Sequence, residues 1–210
     1  MLNRKSRFNG EGEERMDQAL QSVCMGIIGY CSGSVMYAYL LPITLFHKDV
    51  RKYGDGNPGA FNVHLCVSVP MAILCAVLDI LKGMIPVVVA FHVLRLRDGL
   101  LLLPVMGPVL GHMFPPCLKF RGGKSICTAF GVMIGLMPQK LYALLWACCI
   151  LLLMPFIRDH TRLILASLGL FVPLCLILEP SLGTNLGMVA VAVMVFIKHC
   201  TAAEKTENNS

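Results

Sequence analysis

Between residues 63 and 94 the chain carries only two charged side chains, Asp79 and Lys82, in a run long enough to cross a lipid bilayer. A hydrocarbon core of about 30 Å takes roughly 20 helical residues. Further apolar runs lie at about 19–46, 99–114, 126–137, 140–157, 163–178 and 184–197. The expected fold is therefore all-α: a polytopic membrane helix bundle of about seven transmembrane segments. The first run is interrupted by the small polar stretch Cys31-Ser32-Gly33-Ser34, and the last two are separated by Glu179-Pro180-Ser181. The run 126–137, ending at Pro138, is short for a full crossing and is expected as a partial or tilted span. Of the 210 residues, 56% are hydrophobic and 14% charged, against about 25% charged in soluble domains. A single transmembrane domain, 19–200, is expected between a polar N-terminal tail, 1–18, and a polar C-terminal tail, 201–210. The apolar run after the first tail is too long for a cleavable signal peptide.

The net charge of +6 is spread over loops rather than gathered in one stripe, which argues against nucleic acid as a partner and fits basic loops flanking membrane spans. With the N-terminus outside, ten basic side chains fall on the inner loops. The outer loops hold Arg95, Arg97 and Lys140, and the N-terminal tail is charge-balanced. This bias puts the loops 47–62 and 115–125 together on the cytoplasmic side. The ten cysteines lie mostly in or beside apolar runs, where cysteine behaves as a small hydrophobe. Cys117 and Cys127 sit nearer polar loops but form no C-x-x-C pair, so no metal site is expected.

Two of these loops suit phosphate. Residues 51–62 read RKYGDGNPGAFN. Gly54, Gly56 and Gly59 allow backbone amides to converge on an anion, and Arg51 and Lys52 add charge. The plain alternative is a solvated turn between helices. Residues 111–125 read GHMFPPCLKFRGGKS, where Gly122-Gly123-Lys124 again combines backbone access with a cation, and a helix starting at Ser125 would aim its positive end there. The alternative is anchoring by positive-inside charge, and the spacing is not that of a Walker A loop. Asp79 and Lys82, three apart, share a helix face. Ionisable groups inside an apolar run are costly and either pair or serve function. Gly83 and Pro86 just beyond them suggest a helix bent toward a cavity. Ser34 reads as a packing or a site residue, and His112 as a structural or a site histidine.

Taken in order, G-S in the first span, R-K-x-G-x-G-N-P-G-A-x-N, D-x-L-K-G, and G-H-x-F-P-x-x-L-K-F-x-G-G-K resemble the bacterial acyl-phosphate:glycerol-3-phosphate acyltransferases over residues 26 to 131. The resemblance implies a seven-helix enzyme of the bacterial plasma membrane; a monomer is expected, without cofactor or metal, and with the site loops cytoplasmic as the charge count has it. It would move an acyl chain from acyl phosphate to the 1-hydroxyl of glycerol 3-phosphate at the membrane lipid, giving lysophosphatidate and phosphate without an acyl-enzyme. Carried over by position, the catalytic residues would be Ser34, Arg51, Lys82 and His112. Asn57, Asn62, Gly122, Gly123 and Lys124 would bind phosphate and substrate. Arg51 and Lys82 would hold one phosphate and the Gly122–Lys124 loop the other, with Ser34 and Asn62 orienting the acceptor hydroxyl. Its proton would pass to His112 or to the departing phosphate.

The chain departs from the family pattern at Asp55 (usually serine), Phe61 (usually threonine) and Ser125 (usually glycine), and Ala202 stands where H-x-x-N, begun by His199, usually places asparagine. These departures mark a divergent member. A catalytically silent relative that binds a phosphate-bearing lipid or a partner protein is the alternative reading. A carboxylate at position 55 would either pair with Arg51, taking a cation from phosphate, or accept hydrogen bonds from an acceptor with extra hydroxyls or an amine. Unless screened by a cation it would repel a phosphate. Cysteine-accessibility labelling at positions 52 and 121 should place both on the cytoplasmic side; labelling from opposite faces would separate the two loops.

Overall fold

The structure is a computed structural model and describes residues 2–137, 139–178 and 182–207. The breaks expected at Pro138 and at Glu179-Pro180-Ser181 lie outside the described residues. Within them the chain is helical, without strands: α1 (Leu2–Ser34), α2 (Tyr37–Phe46), α3 (Ala60–Cys66), α4 (Val69–Val88), α5 (Leu102–Met113), α6 (Ile126–Gly135), α7 (Tyr142–Leu153), α8 (His160–Leu178) and α9 (Leu182–Glu207). Five stretches are long and apolar enough to cross a membrane: Glu14–Phe46, Val69–Val93, Asp98–Leu118, His160–Leu178 and Gly183–Thr201. Ile126–Gly135 and Tyr142–Leu153 are shorter apolar helices. Together they match the seven expected segments. Ile27, Ile73, Val93, Leu151, Phe156 and Ile177 are exposed, as side chains facing lipid would be.

Several boundaries differ from the sequence expectation, each for a local reason. The polar N-terminal stretch is helical from Leu2, continuous with α1. The run 63–94 is not one helix: α3 ends at Cys66 and α4 starts after Ser68, whose hydroxyl accepts from the Met71 amide as an N-cap. Pro70 follows in the first turn of α4, where its missing N–H costs nothing. Asp159 caps α8 by accepting from the Arg162 amide at 2.7 Å, so the expected 158–162 turn gives way to helix from His160. The first membrane span breaks at Val35-Met36, directly after the Cys31–Ser34 interruption.

Close helix contact rests on glycine. A Cβ at Gly33 would strike the Pro108 backbone, one at Gly107 the Gly26 carbonyl, and one at Gly111 the Tyr30 carbonyl, so α1 and α5 touch backbone to backbone. Gly83 and Gly131 do the same for α4 and α6, meeting Thr128 and Ile80. Gly83 thus serves packing rather than a bend toward a cavity. Small residues at such spacing let helices approach where lipid offers no hydrophobic drive. Buried polar groups are paired across helices: Tyr142 donates to Asn185 Oδ1 at 3.0 Å, and Trp146 donates to Ser167 Oγ at 3.0 Å while stacking on Phe130.

Gly111→Ala should destabilise the fold by about 2–3 kcal/mol, seen as a lower thermal unfolding midpoint in detergent. Gly169→Ala, whose added methyl meets nothing within 4 Å among the described residues, should leave the midpoint unchanged or slightly raised.

Candidate active site

Candidate site residues from four distant segments form two polar clusters. The deeper one forms around the break in the first span. The Lys82 ammonium lies 2.8 Å from Asp79 Oδ1, with their side chains 2% and 3% exposed. It also donates to the Val35 carbonyl at 2.6 Å. A cation at the C-terminal end of α1 meets the negative end of the helix dipole and satisfies a carbonyl that the break leaves open. Ser32 Oγ donates to the Lys82 carbonyl at 2.9 Å, tying α1 to α4 a second time. His112, buried at the end of α5, turns Nδ1 to Thr128 Oγ1 at 3.3 Å and lies 4.0 Å from Asp79. Ser34 donates to the Tyr30 carbonyl at 2.8 Å and closes α1 against Gly111.

The second cluster joins the two loops. Lys124 donates its backbone N–H to Asn57 Oδ1 at 3.1 Å, and its ammonium lies 2.9 Å from Asp55 Oδ2. Asn62 Nδ2 donates to Asp55 Oδ1 and to the Asn57 carbonyl, each at 2.9 Å. Asn62 Oδ1 is buried with no hydrogen-bond partner among the described residues. Gly54 and Gly56 adopt φ of 56° and 71°, left-handed backbone that glycine enters without a Cβ clash. A Cβ at Gly54 would also strike Asn62.

His112 links the clusters. Its carbonyl accepts from the Gly123 amide at 3.1 Å, and Met113 O accepts from the Gly122 amide at 3.0 Å. A Cβ at Gly123 would run into the His112 ring, and one at Gly122 into the His112 carbonyl. The Gly-Gly pair is thus required by close approach to His112, and its two amides bond the end of α5 instead of standing open to an anion. Phe61, at the start of α3, stacks with His160, at the start of α8, with ring centroids 6.5 Å apart.

A sequence profile described as glycerol-3-phosphate acyltransferase matches residues 23–208. The chain is 34% identical over 175 residues to a glycerol-3-phosphate acyltransferase of Mesorhizobium japonicum, covering 82% of this chain and 86% of that one. It is 34% identical over 176 residues to one of Pseudomonas fluorescens, covering 83% and 90%. This chain belongs to the glycerol-3-phosphate acyltransferase family. Its fold is that of the crystal structure of PlsY (YgiH), an integral membrane glycerol 3-phosphate acyltransferase, in the glycerol 3-phosphate form. The TM-score is 0.79 at 23% identity, over 90% of this chain and 92% of that one. The lysophosphatidic acid form aligns with a TM-score of 0.77.

Within this family frame, the placements of Arg51, Asp55 and His199 add to the sequence reading. Arg51 pairs with Asp49 at 2.8 Å and lies over the Tyr39 ring, so it shares no partner with Lys82 among the described residues. The Arg51 hydrogen bond holds the Asp49 carboxyl below its ordinary range. Asp55 pairs with Lys124 rather than Arg51, because Asp49 sits only two residues before that arginine. His199, named in the sequence only as a departure point, is fully buried within electrostatic reach of Lys124, His160 and Asp55, and its Nε2 has no hydrogen-bond partner among the described residues. A histidine closing an apolar run just before a polar tail was the available signal for it. Beside it, Lys198 donates to Met113 O at 3.1 Å and lies over Phe114.

Lys82→Met strands a buried carboxylate and should cost about 3–5 kcal/mol of stability. The double variant Asp79→Asn, Lys82→Met should recover most of the thermal midpoint. Turnover by the stable double variant within a few-fold of native would show that Lys82 serves structure only.

Proposed function

We propose that the protein transfers a fatty acyl group from acyl phosphate to the 1-hydroxyl of glycerol 3-phosphate, giving lysophosphatidate and inorganic phosphate for phospholipid synthesis. The observation that carries this reading is the meeting of two glycine-rich basic loops, joined by Lys124 and Asn57, beside a buried histidine in a membrane bundle. Both substrates carry phosphate and one carries a fatty chain. Such chemistry needs cations, hydrogen-bond donors and access from lipid.

In this reading the acceptor hydroxyl attacks the carbonyl carbon of acyl phosphate. The new ester C–O bond forms as the bond to the phosphate oxygen breaks, and phosphate leaves with the electron pair. Acyl phosphate is already activated, so positioning and charge stabilisation suffice, with no cofactor step. Lys124 and Asn57 hold one phosphate; Arg51 serves the other after exchanging Asp49 for it. Asn62 Oδ1 and Ser34 Oγ, which keeps accepting capacity, orient the hydroxyl. The departing phosphate takes the hydroxyl proton, since His112 has Nδ1 turned to Thr128 and its ring against Gly123. His112 and Lys82 keep the loops and the helix break in place. The site faces the cytoplasm of a bacterial cell.

Purified protein in lipid should release acyl chain from radiolabelled acyl phosphate only with a phosphorylated acceptor, forming lysophosphatidate and phosphate in equal amounts. No release with any member of an acceptor panel would favour the silent lipid-binding relative.

A further inference from the structure

Asp55 stands where the family pattern usually has serine, and the structure shows what its carboxylate does. Three donors from separate points of the two loops close on it: the Asn57 amide at 3.1 Å, Asn62 Nδ2 at 2.9 Å and Lys124 Nζ at 2.9 Å. These are the donor types that bind a phosphate oxygen. The left-handed turns at Gly54 and Gly56 bracket Asp55 on both sides. The Asp55 side chain is 35% exposed and that of Lys124 14%, so an anion arriving from solvent reaches this contact. A carboxylate and a phosphate cannot both take the Lys124 ammonium without facing each other as like charges.

We propose that Asp55 is a specificity-determining residue that fills the anion position between the two loops, so that a substrate phosphate binds there only by displacing it from Lys124. The proposal rests on the reading that this position receives a substrate phosphate. Burial raises the carboxyl pKa, but the bond and charge of Lys124, with the donors on Asn57 and Asn62, outweigh it and leave the group below its ordinary range. It is therefore a charged competitor throughout the neutral range. Its cost falls on phosphate affinity, and phosphate binding also breaks the ionic contact between the loops while leaving the Lys124 amide on Asn57 Oδ1.

The test titrates inorganic phosphate into full-length native protein, Asp55→Asn and Asp55→Ser in detergent, reading the thermal midpoint. Asp55→Asn keeps the shape of the side chain, which guards against a folding failure in the serine variant. Half-saturation should fall about tenfold or more in both variants, allowing for screening. The gain should vanish when Lys124→Met is added to Asp55→Asn. Equal half-saturation in native and variant proteins, or a gain that survives Lys124→Met, would overturn the proposal. In the acyl-transfer assay, a tenfold lower KM for glycerol 3-phosphate alone assigns the position to the acceptor, and a lower KM for acyl phosphate alone to the donor. Tighter phosphate binding without acyl transfer in any protein would overturn the proposed reaction and leave the role of Asp55 standing.

Discussion

A single ammonium group sits at the centre of the architecture. Lys82 Nζ touches Asp79 and the Val35 carbonyl, and each contact solves a different problem. Asp79 supplies the countercharge without which a buried cation in an apolar helix would be too costly. Val35 is the first residue after α1, where the helix has broken and its last carbonyls need donors. The break can persist within an apolar span because a neighbouring helix supplies the donor that water would supply elsewhere. Once it is fixed, Ser34 and Tyr30 lie against Gly111, α5 is set in depth, and His112 arrives beside Asp79.

Glycine makes that arrangement possible and also limits it. The α1–α5 and α4–α6 contacts run backbone to backbone, so the four helices that carry the deeper cluster have little freedom to slide. The same residue type seats the Gly122–Lys124 loop on His112. The loops therefore differ in character. The 119–125 loop is fastened to the end of a helix, whereas the 54–59 turn is held mainly by the Asp55, Asn57, Asn62 and Lys124 contacts.

Much of this was legible in the sequence, for identifiable reasons. Hydropathy marks the spans because a bilayer imposes length and polarity on every crossing. Asp79 and Lys82 stand out because charge is rare there, and their spacing announces a pair. Partner choice was less legible. Asp55 lies four residues from Arg51 and far in sequence from Lys124, yet a closer carboxylate claims the arginine and the fold delivers the lysine. The Gly122-Gly123 pair shows the same limit: glycine is required for an open amide and for a close approach alike, and only the position of the His112 ring separates the two. His199 stayed hidden because a lone histidine at a helix end carries no spacing that points to Lys124. The Ser68-Val69-Pro70 break had a clear helix-start signature, but the apolar residues on both sides masked it.

The fastening of the Gly122 and Gly123 amides to Met113 and His112 has a mechanical side. A loop bonded to the last carbonyls of α5 has no independent height; it rides wherever that helix rides. Because α5 is locked to α1, the two tilt as one strut, and helices meet a mismatch in bilayer thickness largely by tilting. The 54–59 turn meets that loop where Asp55 and Asn57 reach Lys124, so the depth of the α1–α5 strut sets the depth of this contact as well.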